Sequence, residues 1–218
     1  MLSFLKDPQA FELFGIFAAS SALPGALIAG LYYQGKKGER FSPFNHFISE
    51  LGEVGVSRLA WAFNLGLILA GLCLVPACIS LGLIIPGILP KIAMVAGVVC
   101  ALSLSLVGVF PMNKLKPHRI AAMTFFRGGL LMLILFSLAI ALQSEPDLVI
   151  SRWYALAGLL PMGAFTTFLV LVAKAYRQTE TALSPGDIDR PRVWGLVIAE
   201  WAILLTVVLW FVLISIGL

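Results

Sequence analysis

Six runs of mostly apolar residues, each about twenty or more long, alternate with short segments in which Lys, Arg, Gly and Pro concentrate. The runs cover residues 11–33, 58–85, 92–110, 120–142, 153–176 and 193–218. At 1.5 Å rise per residue each can cross a hydrocarbon core of roughly 30 Å. Lipid offers the backbone no hydrogen-bond partner, and the runs lack the period-2 alternation of barrel strands, so each predicts a helix. The expectation is an all-α fold: one integral membrane domain over 1–218, a six-helix transmembrane bundle. The first run reads as a span and not as a cleaved leader. Its apolar stretch continues to Tyr32 and Tyr33, and Asp7 and Glu12 spoil a basic n-region.

Between the first two runs the pattern changes. Ser42 and Pro43 suit the N-cap and first position of a short helix ending near Gly52. Phe44, Phe47, Ile48 and Leu51 recur at i, i+3, i+4 and i+7, leaving Asn45, His46, Ser49 and Glu50 on the other side. This predicts a short interfacial helix. Its polar face either meets water or turns into the bundle.

Composition agrees: 60% of the residues are hydrophobic and 12% charged, too few charges to coat a soluble globule. Lys36, Lys37, Arg40, Arg58, Lys114, Lys116, Arg119, Lys174, Arg177, Arg190 and Arg192 all fall on one side of the predicted topology. Lys6, Lys91 and Arg152 fall on the other, which predicts a cytoplasmic (inner) membrane protein with both termini outside the cytoplasm. The net charge of +4 then marks cytoplasmic loops, and nucleic acid is not an expected partner. Tyr32, Tyr33, Trp61, Tyr176 and Trp194 predict an inner aromatic belt, and Trp153 and Tyr154 an outer one. Cys73, Cys78 and Cys100 lie within spans and read as small apolar residues. Ser21, Gly25, Gly30, Gly158 and Gly163 predict close helix approach, and Pro24, Pro76 and Pro161 predict kinks. No internal repeat supports a secondary-transporter architecture.

The candidate chemistry is sparse. His46 and Glu50 are i, i+4 and can share a hydrogen bond or a metal; the only other histidine, His118, follows Pro117 at the start of the fourth helix on the same side. Asn64 lies a little into the second span. Arg127 and Glu200 sit inside the fourth and sixth spans at matching depths, about 13 and 12 Å from the boundary at helical rise. Two unrelated charges there are costly, so the two are expected to pair, either fastening helices or lining a polar cavity.

The run Asn45-His46-Phe47-Ile48-Ser49-Glu50-Leu51-Gly52, the span opening Phe63-Asn64-Leu65-Gly66, Phe110-Pro111 with His118, and Gly195 with Glu200 and Trp201 occur in an order and spacing that cover nearly the whole chain. In these the chain resembles the domain-of-unknown-function family 998, small prokaryotic membrane proteins of about six helices. It departs at Asn113 and Arg119, where the family usually carries an acidic residue and often a histidine. The resemblance implies the fold and brings no activity.

Three functional expectations follow. One is an enzyme acting on a lipid headgroup, with catalytic residues His46, Glu50 and His118, either histidine as acid/base and Glu50 as its carboxylate partner, and Arg127 holding an anionic group. Another is a transporter or binding protein for a small molecule or ion, with Asn45, Ser49, Asn64, Arg127 and Glu200 as ligand contacts. The third is a membrane scaffold. Membrane lipid is the expected partner in each, with a second copy or another membrane subunit for the scaffold; the residues name no cofactor or metal. The charge count makes its own prediction: an impermeant thiol reagent applied from outside labels a cysteine placed near Asp147 and misses one near Gly186. The reverse pattern would invert the topology.

Overall fold

Asp7 accepts a hydrogen bond from the Gln9 N–H at 2.9 Å and Pro8 takes the first helical position, so the first helix starts three residues before its apolar run. The computed structural model describes residues 3–178 and 190–218, so residue 186, the proposed inner labelling position, lies outside it. It contains α1 (Pro8–Leu31), α2 (Ala60–Ile84), α3 (Leu89–Val109), α4 (Leu115–Ala141), α5 (Leu159–Gln178) and α6 (Gly195–Gly217). All six crossings are long and apolar enough to span a membrane, and the protein is an integral, multi-pass membrane protein. No β-strand occurs among the described residues, only isolated bridges such as Tyr33 to Ser57.

Two boundaries move for local reasons. α4 begins at Leu115, before its predicted start at 120, because Pro117 fits its first turn where an N–H has no partner. The fifth crossing opens as a 3₁₀ segment, Arg152–Gly158, before α5. Pro161 therefore stands in the first turn of α5 and does not interrupt a formed helix, unlike Pro24 in α1 and Pro76 in α2. Opposite the loop end, the Gln143 amide donates to Ile140 and Ile150 carbonyls and accepts from Val149, stapling the α4–α5 connection.

Each helix packs against its sequence neighbours, and α6 returns to α1, which closes the six into a ring. Hydrophobic burial does not drive this contact in lipid, so close backbone approach does. A Cβ on Gly25 would lie 2.8 Å from the Ala62 carbonyl oxygen, and one on Gly66 would lie 2.6 Å from that of Ser21. Gly163, expected to serve the same purpose, faces open space. The outward faces are apolar, with Ile16, Leu27, Leu72 and Leu131 all exposed. Trp61 and Trp153 are exposed as belt residues should be, but Tyr33 is buried and Trp194 half-buried, both drawn inward by partners at the loop end. The three cysteines are free thiols.

Gly66→Val should lower the melting temperature in mild detergent, by an overpacking cost of about 1–3 kcal/mol. Gly163→Val, introduced in the same scan, should leave it nearly unchanged; equal losses would contradict the assigned interface.

Candidate functional site

The 28 residues between α1 and α2 carry four of the polar groups singled out above, Asn45, His46, Ser49 and Glu50. They do not form the predicted amphipathic helix from Ser42. A turn over residues 43–46 comes first, Phe47 is extended, and a 3₁₀ turn runs over Ile48–Gly52. Two side chains account for the break. His46 Nδ1 accepts the Ser42 N–H at 3.1 Å, closing the turn on itself, and Glu50 Oε1 accepts the Phe47 N–H at 2.9 Å, starting a new helical turn at Ile48. The Asn64 amide, from α2, donates to the Gly52 carbonyl at 3.0 Å and ends it. The polar side of this segment turns inward: His46 is 4% exposed and Glu50 1%.

Glu50 is the centre of the cluster. Besides the Phe47 N–H, its Oε1 accepts from Arg190 Nη1 at 2.8 Å, and its Oε2 accepts from the Tyr33 hydroxyl at 3.3 Å. Arg190 precedes α6 and also donates to the Asn45 carbonyl at 3.3 Å. Burial pushes the Glu50 carboxyl above its usual range, and the Arg190 charge opposes that shift. Burial, reinforced by the Arg190 charge, pushes His46 below its usual range. Its ring packs between Tyr33 and Phe41, at centroid distances of 5.3 and 5.4 Å, and its Nε2 has no partner among the described residues. Two further bonds join the connection to α6: Trp194 N–H to the Phe44 carbonyl, and Ile48 N–H to Glu200 Oε2, each at 2.8 Å.

Above this knot the ring of helices encloses a slot of about 140 Å³, the size of cavity that holds one ring or a few methylenes. Gly15, Ala18, Ala22 and Ala26 form a shallow wall on α1, and Leu204, Val207 and Phe211 of α6 face it. From Ala26 to Gly15 the wall extends about 16 Å at helical rise. Almost all of the lining is apolar; the exceptions, Ser49, His118 and Glu200, line the slot together with Ile48 of the connection. His118 Nδ1 donates to the Phe110 carbonyl at 2.7 Å, tying α4 to the end of α3. Of the two Glu200 oxygens, Oε2 is taken by Ile48 and Oε1 has no hydrogen-bond partner among the described residues.

The sequence-predicted residues thus divide into groups. Asn45, His46 and Glu50 belong to the knot; Ser49, His118 and Glu200 line the slot; Asn64 caps the 3₁₀ turn. Arg127 stands apart, and the expected pair with Glu200 does not form. Helical phase is the reason. His118, Ala122, Phe125 and Phe126 face the slot, and the next residue, a further 100° around, turns Arg127 to the outer α4–α5 groove. Among the described residues no group of three His, Cys, Asp or Glu side chains is placed to hold a metal. Two participants escaped sequence reasoning: Tyr33, read as a belt residue, and Arg190, read only as a cytoplasmic cation. Asn113 also contributes, exchanging bonds of 2.8 and 2.9 Å with the Val54 backbone.

No curated protein and no solved structure matches this chain. The order of motifs along α2, the α3–α4 connection and α6 is nonetheless that of a recognised group, whose model, described as Protein of unknown function (DUF998), matches residues 21–217, and the chain belongs to that family.

Proposed function

We propose that this is a cytoplasmic-membrane protein, with both termini outside, that binds one amphiphile in the interhelical slot with its head toward the cytoplasm. The observation that carries the reading is the Glu200 carboxylate on a mostly apolar wall, with one oxygen that no described residue claims. An ionised or neutral carboxyl in such a place calls for a hydrogen-bonding partner. The partner that fits is a head with hydroxyl or amine donors, aided by Ser49 and His118, and the small residues of α1 leave room for its apolar chain.

Binding is favoured over catalysis by the state of Glu50. Both its oxygens are committed to Tyr33, Phe47 and Arg190, so it acts as a lock and not as an acid/base group. His46 is likewise enclosed by aromatic rings, away from the slot lining.

Native mass spectrometry of protein extracted in mild detergent tests the proposal. Wild-type protein should carry one tightly held amphiphile, whose removal lowers the melting temperature. Ala22→Phe, which fills the slot, should lack the adduct and melt at the same temperature before and after delipidation. Glu200→Gln should hold it less well. An unchanged adduct in folded Ala22→Phe protein would sink the reading.

A further inference from the structure

Arg127 poses a problem that the slot does not solve. It is an exposed arginine well inside the apolar length of α4, and no carboxylate among the described residues pairs with it. Neither α4 nor α5 contains a single Asp or Glu. A guanidinium in that setting requires an anion, and the protein supplies none from the two helices that flank it.

The groove between α4 and α5 shows what could supply one. Arg119, Thr124 and Arg127 line it from α4, and Leu169, Val172 and Tyr176 line it from α5. Arg119 is already oriented, its guanidinium carbon 5.4 Å from the centroid of the Tyr176 ring. Arg127 lies eight residues further along, about 12 Å at helical rise. Helical side chains lean toward the helix N-terminus, so both arginines reach along the groove toward the membrane boundary, Arg119 at its edge and Arg127 below it. Two long, flexible arginines reaching to one edge of the groove can close on a phosphate drawn in just below the boundary, while the apolar part of the groove continues past it along Leu131 and Leu169.

We propose that the α4–α5 groove is a binding site for an anionic phospholipid, its phosphate held between Arg119 and Arg127 and an acyl chain laid along the apolar part of the groove. Paired arginines match a phosphate diester by charge and by fork geometry, and a net-negative head avoids bringing a choline cation against them. This site is on the outer surface of the ring and shares no lining residue with the slot.

The test compares lipid retention by native mass spectrometry after delipidation and titration with phosphatidylglycerol or with phosphatidylcholine of the same chains. Wild-type protein should retain phosphatidylglycerol several-fold better. Arg127→Gln and Arg119→Gln should each abolish most of that preference while melting no lower than wild type before lipid is added, and Arg127→Lys should keep part of it. Ala22→Phe should leave the preference intact, which separates this site from the slot. Equal retention of the two lipids, or an undiminished preference in Arg127→Gln, would overturn the proposal. So would stabilisation by inorganic phosphate equal to that by phosphatidylglycerol, because the groove would then recognise the free anion and not a lipid.

Discussion

A carboxylate withdrawn from water must be surrounded by donors, and Glu50, 1% exposed, is surrounded by three. The donors come from the two ends that must meet, the α1–α2 connection and the approach to α6. Tyr33 stands at the start of the α1–α2 connection, two residues past α1, Phe47 lies further along it, and Arg190 precedes α6. Satisfying one side chain therefore fixes where the connection lies relative to the first and last helices. Once it is fixed, the Ile48 N–H reaches Glu200 and the Trp194 N–H reaches Phe44, so the connection becomes the floor of the interhelical space. The buried pair need not add net stability over an apolar core, but it does specify one arrangement of the loop end.

The slot follows from how the ring closes. α1 and α2 approach through Gly25 and Gly66, backbone to backbone, whereas α1 meets α6 over far less surface. Alanines and a glycine along the inner face of α1 are too small to fill the space that remains, and the large side chains of α6 do not reach across it. A membrane interior tolerates such a space when an apolar group can enter it. Its polar end, with Ser49, His118 and Glu200, is the feature on which the proposed binding of an amphiphile rests.

The crossings were legible because the bilayer imposes one rule on every span: enough apolar residues, with all backbone groups bonded internally. The loop end was legible in part. The inward turn of the His46 and Glu50 face was one of two outcomes that periodicity left open, and the break at Phe47 depends on side chain to backbone bonds that periodicity does not encode. Arg190 lies 140 residues from Glu50, a pairing that no local pattern contains. For Arg127 the depth argument failed because rise along a helix fixes depth but not azimuth; counting 100° per residue from His118 would have separated it from the slot face.

A double-mutant cycle on Glu50 and Arg190, measured by unfolding in mixed micelles, tests the knot most directly. Arg190→Gln leaves the carboxylate buried without its cation and should cost about 3–5 kcal/mol at neutral pH. Burial already raises the Glu50 pKa in the folded protein, so stability from the neutral form is present at low pH and lost as pH rises through the folded value. That loss should continue to higher pH and be larger in total in Arg190→Gln, where no cation offsets burial. Glu50→Gln combined with Arg190→Gln should recover part of the stability and flatten the pH dependence, with a coupling of at least about 1 kcal/mol. Additive losses, or an unchanged pH profile in Arg190→Gln, would contradict the account.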